Sequence, residues 1–180
     1  MHSIAALERA WRGQRARRLA RYATLPALAE AGLELGAQTV IARRVRDRWG
    51  GPDLALVGNE ARILALLSVA HGKPVSPSVI ANLRRAAKAM ARGDKALAAI
   101  HIAHTGLPRI DRDEGTAFRL FAAERLLDDG LDPRDLMTGL GLDPWPLDAL
   151  KYNQGEPRDF HGRGADGGTR PAAVPTGPMG

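Results

Sequence analysis

Residues 26–49 read PALAEAGLELGAQTVIARRVRDRW, and the class of the whole chain turns on how they are taken. Helical periodicity dominates the chain and strand signals are nearly absent, so this stretch reads as helix, about Pro26 to Trp49. Gly32 and Gly36 are the points where it is expected to break. Gly50-Gly51-Pro52 ends it.

Working outward, Ser3 is placed to cap a helix running to about Tyr22. Ile4, Leu7, Trp11 and Tyr22 fall on one side of it, with Arg15 and Arg18 in the same stripe. Arg9, Arg12, Arg17 and Arg21 cover the other directions. Arginine all round does not make a membrane-surface helix, which needs a segregated face. Six arginines between Arg9 and Arg21, with no apolar run after them, do not make a secretory signal either. Residues 1–50 are therefore expected to be a basic helical extension.

On the other side, residues 53–150 read as the better-specified domain. A helix near Asn59–Ala70 carries Ile63, Leu64, Leu66 and Leu67, apolar enough to be central. Ser76 is expected to cap the next, with Pro77 at its first position. Its inner stripe is Val79, Ile80, Leu83, Ala87 and Met90. Gly93 stops it and Asp94 caps a fourth helix, on which Leu97, Ile100, His101 and His104 share a face. Further helices cover about Asp113–Asp129 and a short run from Asp132-Pro133. Short connections imply antiparallel neighbours. The expected fold is thus all-α, a compact multi-helix bundle or helical-pair array. Residues 151–180, rich in Gly and Pro, are expected to be a disordered tail or linker.

Composition narrows the function classes. The chain has 180 residues, is 44% apolar and has no cysteine, so disulfides, thiolate nucleophiles and thiolate metal ligands are excluded together. That fits a reducing compartment, and the cytoplasm is the expected location. No apolar run is long enough to span a membrane. The net charge is +6. Its layout is dipolar, 17 basic against 7 acidic residues over 1–100 and 5 against 10 over 101–150. Such asymmetry suits a nucleic-acid face. An arginine-rich composition imprinted by a GC-rich genome produces it too.

The strongest candidate site is Arg84, Arg85, Lys88 and Arg92, one basic stripe on the helix opened by Ser76 and Pro77. Four cations on a rigid face can neutralise several phosphates. The helix-turn-helix shape of residues 60–88 supports this. The turn from Gly72 to Ser76 is long for that motif, however, no wing-like strands follow, and no Asn or Gln cluster is present to read bases. The commoner meaning of such a stripe is a solvated helix face. His101 and His104, with His71 or Asp111, suggest a metal site, but without a Glu partner they read as packed or half-exposed histidines. Glu124 falls on an inner helix face, where an arginine partner is the ordinary solution. Asp128, Asp129, Asp132 and Asp135 lack the spacing of a calcium loop. No catalytic set, cofactor or metal is expected.

The segment LKYNQGEPRDFHGRGADGG, residues 150–168, resembles the "LKYNPDEPR-P-G…GG" segment of uncharacterised helical proteins of GC-rich bacteria, some of them phage- or toxin-associated. The upstream GNEARILALLSVAHGKP and the later RLFAAERLLDDGLDPRDL resemble the helical region of the same proteins, so the likeness covers about 58–168. It implies a junction to a further C-terminal domain and no particular activity. Here Gly167-Gly168 is followed by Thr169-Arg170-Pro171 rather than an aromatic, and the stretch is expected to be a join without the effector that would follow it. The expected function is a non-catalytic helical interaction module with an unidentified protein partner, its tail a tether. The alternative is a nucleic-acid-binding protein.

Overall fold

The computed structural model describes residues 3–153, and its first third corrects the helical reading. Residues 23–56 are not helix. They form β1 (Ala23–Leu28), β2 (Gly32–Gly36), β3 (Thr39–Arg46) and β4 (Pro52–Leu56). The strands pair antiparallel in the order β1-β2-β3-β4. The protein combines helices with a sheet, and is neither all-α nor a helical bundle or helical-pair array.

The backbone angles explain the correction. Gly32 has φ +142°, Gly36 +56° and Gln38 +64°, values a right-handed helix cannot contain. A Cβ on Gly32 would lie 2.0 Å from the Ala42 carbonyl oxygen, so only glycine lets β2 run this close to β3. Between the turns, Thr39-Val40-Ile41 is a β-branched run that suits a pleated surface. Leu33, Leu35, Thr39, Ile41 and Ala42 are all buried. Burial of these side chains outweighs the helix preference of the surrounding Ala, Leu and Glu. Pro26 lies in the edge strand β1, where the register with β2 shifts between Ala23 and Ala27. That is where a missing N–H is tolerated.

Seven helices accompany the sheet among the described residues: α1 (Ile4–Ala20), α2 (Glu60–His71), α3 (Ser78–Ala91), α4 (Lys95–Ala103), α5 (Glu114–Asp128), α6 (Pro133–Gly139) and α7 (Trp145–Asn153). Most begin at a side chain that accepts a first-turn N–H. Ser3, Asn59, Asp94, Asp113 and Asp132 do so for α1, α2, α4, α5 and α6. α3 starts differently from expectation. Pro77 is its cap residue, with no side-chain cap, and Ser76 Oγ meets Ser78 through its Oγ (3.0 Å) and, at longer range, its N–H (3.4 Å). α7 runs three residues into the segment read as tail. Residues 154–180, which hold most of the junction motif and the expected tether, lie outside the described residues.

Every residue of α2 from Ile63 to Ala70 is buried, as befits a helix that is apolar on all sides. It packs against α5, α6 and α7, while α3 lies along β4 and forms a hairpin with α4. Residues 3–50 belong to the same packed body. Trp11 of α1 joins Ala37, Ala117 and Phe121 in a second apolar cluster, and β3 pairs with β4 across Gly50-Gly51. Those glycines are a hairpin turn, not a helix end. None of the described helices is long and apolar enough to cross a membrane.

Candidate nucleic-acid interface

The four stripe residues on α3 do not act as one. Arg84 and Lys88 line a groove of about 890 Å³ between α3 and β4, with Asp53, Leu54 and Glu60 among its other walls. Arg84 Nη2 is held by Glu60 Oε1 at 2.6 Å, and its side chain remains 61% exposed. Arg85 turns to the α4 side: its Nη1 donates to Asn82 Oδ1 (3.3 Å), and Asn82 Nδ2 donates to the His104 carbonyl (3.0 Å). Arg92 is exposed at the C-terminal cap of α3.

The sheet adds cations from the stretch expected to be helix, residues 26–49. β3 outruns β2, so its far half pairs only with β4. There Arg44 and Arg46 are exposed, as is Arg43 where the pairing with β2 ends, and Arg48 and Trp49 follow in the turn. Arg44 and Arg46 line a second groove with Asp53 and Ala91, next to the first, because Asp53 borders both. The hairpin is thereby brought against the C-terminal half of α3. Arg44 donates to the carbonyls of Glu30 (3.1 Å) and Ala29 (3.3 Å), which fixes its stem against the β1–β2 turn.

The carboxylates on this face are already engaged. Asp47 Oδ1 accepts from Trp49 N (2.9 Å) and Gly51 N (2.7 Å). Asp53 Oδ1 accepts from Leu54 N (2.8 Å), and Glu60 holds Arg84. Exposed on the hairpin and α3 are guanidinium and ammonium groups and one aromatic ring, with the Asp47 side chain exposed among them. Such a surface can bind anionic polymers by displacing their counterions. One signal in the sequence could have found it: Thr39-Val40-Ile41 and Asp53-Leu54-Ala55-Leu56 flank a Gly50-Gly51 pair, the pattern of a hairpin.

The other candidates resolve differently. Glu124 meets Arg18 at 3.0 Å, with side chains 14% and 10% exposed. Arg18 also donates to the Ala37 carbonyl (3.1 Å) and Gln14 Oε1 (3.1 Å), and lies 4.8 Å over the Phe121 ring. These contacts tie Glu124 into the packing of α1 against α5. Burial pushes the nearby Glu34 above the usual carboxylate range, opposed by Arg21 and Arg18 and reinforced by Glu124. Asp128 pairs with Arg62 (2.9 Å) and Asp132 caps α6. Among the described residues no group of three or more His, Asp or Glu converges where a metal ion could sit. His71 ends α2, with Nε2 buried and without a hydrogen-bond partner.

Compared with protein-family models, curated proteins and solved structures, the chain finds no match.

Proposed function

We propose that the protein is a non-catalytic binding module for nucleic acid, which it grips by the phosphate backbone across α3 and the β3–β4 hairpin. One observation carries this reading. Two separate basic segments supply adjoining grooves, Arg84 and Lys88 of α3 lining one and Arg44 and Arg46 of the hairpin the other, while Asp47 and Asp53 are bonded to backbone N–H groups and Glu60 to Arg84. A solvated helix face accounts for the α3 stripe alone; it does not account for a basic hairpin laid beside it. The hairpin precedes the helix in sequence, so it is not the wing that a helix-turn-helix is followed by, and base-specific reading is not part of the proposal.

The test is fluorescence anisotropy with labelled duplex and single-stranded DNA over a salt series. Three proteins are compared: the unaltered chain, a variant with Arg84, Arg85, Lys88 and Arg92 changed to Ala, and one with Arg43, Arg44, Arg46 and Arg48 changed to Ala. Affinity is expected to fall steeply with salt, the slope dropping by about one for each phosphate-contacting cation removed. Equal binding by all three proteins would sink the reading.

A second reading, a protein-interaction module, is favoured by α4, where Leu97 and Ile100 remain 42% and 52% exposed on a short helix packed mainly on α3. Capture of a partner that is lost on changing Leu97 and Ile100 to Ser, and kept on removing the hairpin arginines, would favour it.

A further inference from the structure

We propose that the interface takes unpaired nucleic acid, a base stacking on Trp49 while the hairpin arginines hold the adjoining phosphates; this rests on the phosphate-binding reading above. Trp49 is 80% exposed, whereas Trp11 is 5% exposed in the core. A bare indole in water is unfavourable, so its presentation calls for a reason, and the turn that carries it is firmly built. Asp47 N donates to the Gly51 carbonyl (2.8 Å) and Gly50 N to the Asp47 carbonyl (3.0 Å). The Asp47 carboxylate takes the N–H groups of Trp49 and Gly51. Arg46 Nη1 closes onto the Gly50 carbonyl at 3.2 Å. Gly50, at φ +78°, makes the reversal.

Arg48 lies 4.8 Å over the indole. A guanidinium on one face of the ring leaves the other for a flat partner, and holds a positive charge where that partner's phosphate would follow. In a duplex the base faces are already stacked on one another, so an aromatic platform on a hairpin finds its partner in a single strand. Stacking of this kind tolerates any base, in keeping with α3's one Asn, Asn82, being engaged by Arg85 and the His104 carbonyl. A lipid surface fits the same groups less well. Val45, 39% exposed, is the other large apolar side chain exposed on the hairpin, and a ring beside the Asp47 carboxylate offers little apolar area to bury in a bilayer.

The experiment uses the full chain, a labelled single-stranded oligonucleotide, its duplex, and vesicles of phosphatidylcholine with phosphatidylserine. The unaltered protein is compared with Trp49→Ala and Trp49→Phe, which at so exposed a position keep the fold. The expected result is tighter binding of the single strand than of the duplex. Trp49→Ala should weaken the single strand roughly five- to a hundredfold, leave the duplex nearly unchanged, and keep the salt slope; Trp49→Phe should recover most of the loss. If Trp49→Ala binds the single strand as the unaltered protein does, or weakens both forms equally, stacking is overturned while salt-dependent binding keeps the phosphate reading. Binding of neither nucleic acid overturns both. Trp49-dependent binding to vesicles alone overturns both in favour of a membrane surface.

Discussion

Two arginines of α1, Arg15 and Arg18, meet a fate opposite to that of the arginines at 43–48 on the hairpin. On α1, Arg18 is drawn inward, where Glu124, Gln14 and the Ala37 carbonyl satisfy it and Phe121 lies beneath it. Arg15 on the same helix reaches Glu114 at 2.5 Å, and this contact holds the Glu114 carboxyl below its ordinary range. On the hairpin, the arginines meet backbone carbonyls or solvent, and their charge stays outward. The residue type is the same in both places, and its use is set by what the fold brings opposite: carboxylates of α5 for Arg15 and Arg18, the open edge beside α3 for the hairpin. Arginine abundance alone therefore says little about nucleic acid; unanswered arginine on a fixed frame says more.

The comparison breaks first at its buried end. Arg18→Ala leaves Glu124 unpaired in a nearly dry site and should cost about 3 kcal/mol, the low end for a buried pair because both side chains keep some solvent contact. The melting temperature should fall by roughly 6–12 °C. Replacing the pair together, Arg18→Met with Glu124→Leu, should cost much less. A melting temperature unmoved by Arg18→Ala would contradict the assignment.

Next comes the frame that holds the hairpin. Gly32→Ala must fit a Cβ against the Ala42 carbonyl at a φ side chains avoid, so it should cost about 2 kcal/mol or more. Urea unfolding checks this. A stabilised Gly32→Ala would mean that residues 26–49 are helical after all.

A smaller effect comes from His71, a potential cation with no carboxylate to meet it. Burial, and then Lys73, pull it below its ordinary value of 6.5. A base whose folded value is depressed binds fewer protons folded than unfolded. Stability should therefore be complete above about pH 6.5 and decline as pH falls toward the depressed folded value. His71→Gln should flatten that decline between pH 7 and 5 in thermal melts. Smallest of all in stability is the hairpin itself: changing Arg43, Arg46 and Arg48 to Ala should move unfolding by no more than about 0.5 kcal/mol.

The helices were largely legible because their signals are local. Asp94, Asp113 and Asp132 announce their helices three residues or fewer from the N–H they accept, and the run Ile63–Val69 can only be central. The sheet was not: Gly32 and Gly36 signal a break, but Leu33, Glu34 and Leu35 between them favour helix, and what makes them a strand is β3 alongside, where Ala42, Val40 and Thr39 pair with them. Of the candidate site, the α3 cations were readable from spacing. Their division by Glu60 and Asn82, and the hairpin beside them, depend on pairings that only the folded chain brings about.

The most direct test of the central claim is a map of backbone amide shifts in ¹⁵N-labelled protein as a single-stranded oligonucleotide is added. The account expects the largest changes over residues 43–53 and 84–92. Changes gathered instead on α1, around Arg9, Arg12 and Arg17, would contradict it.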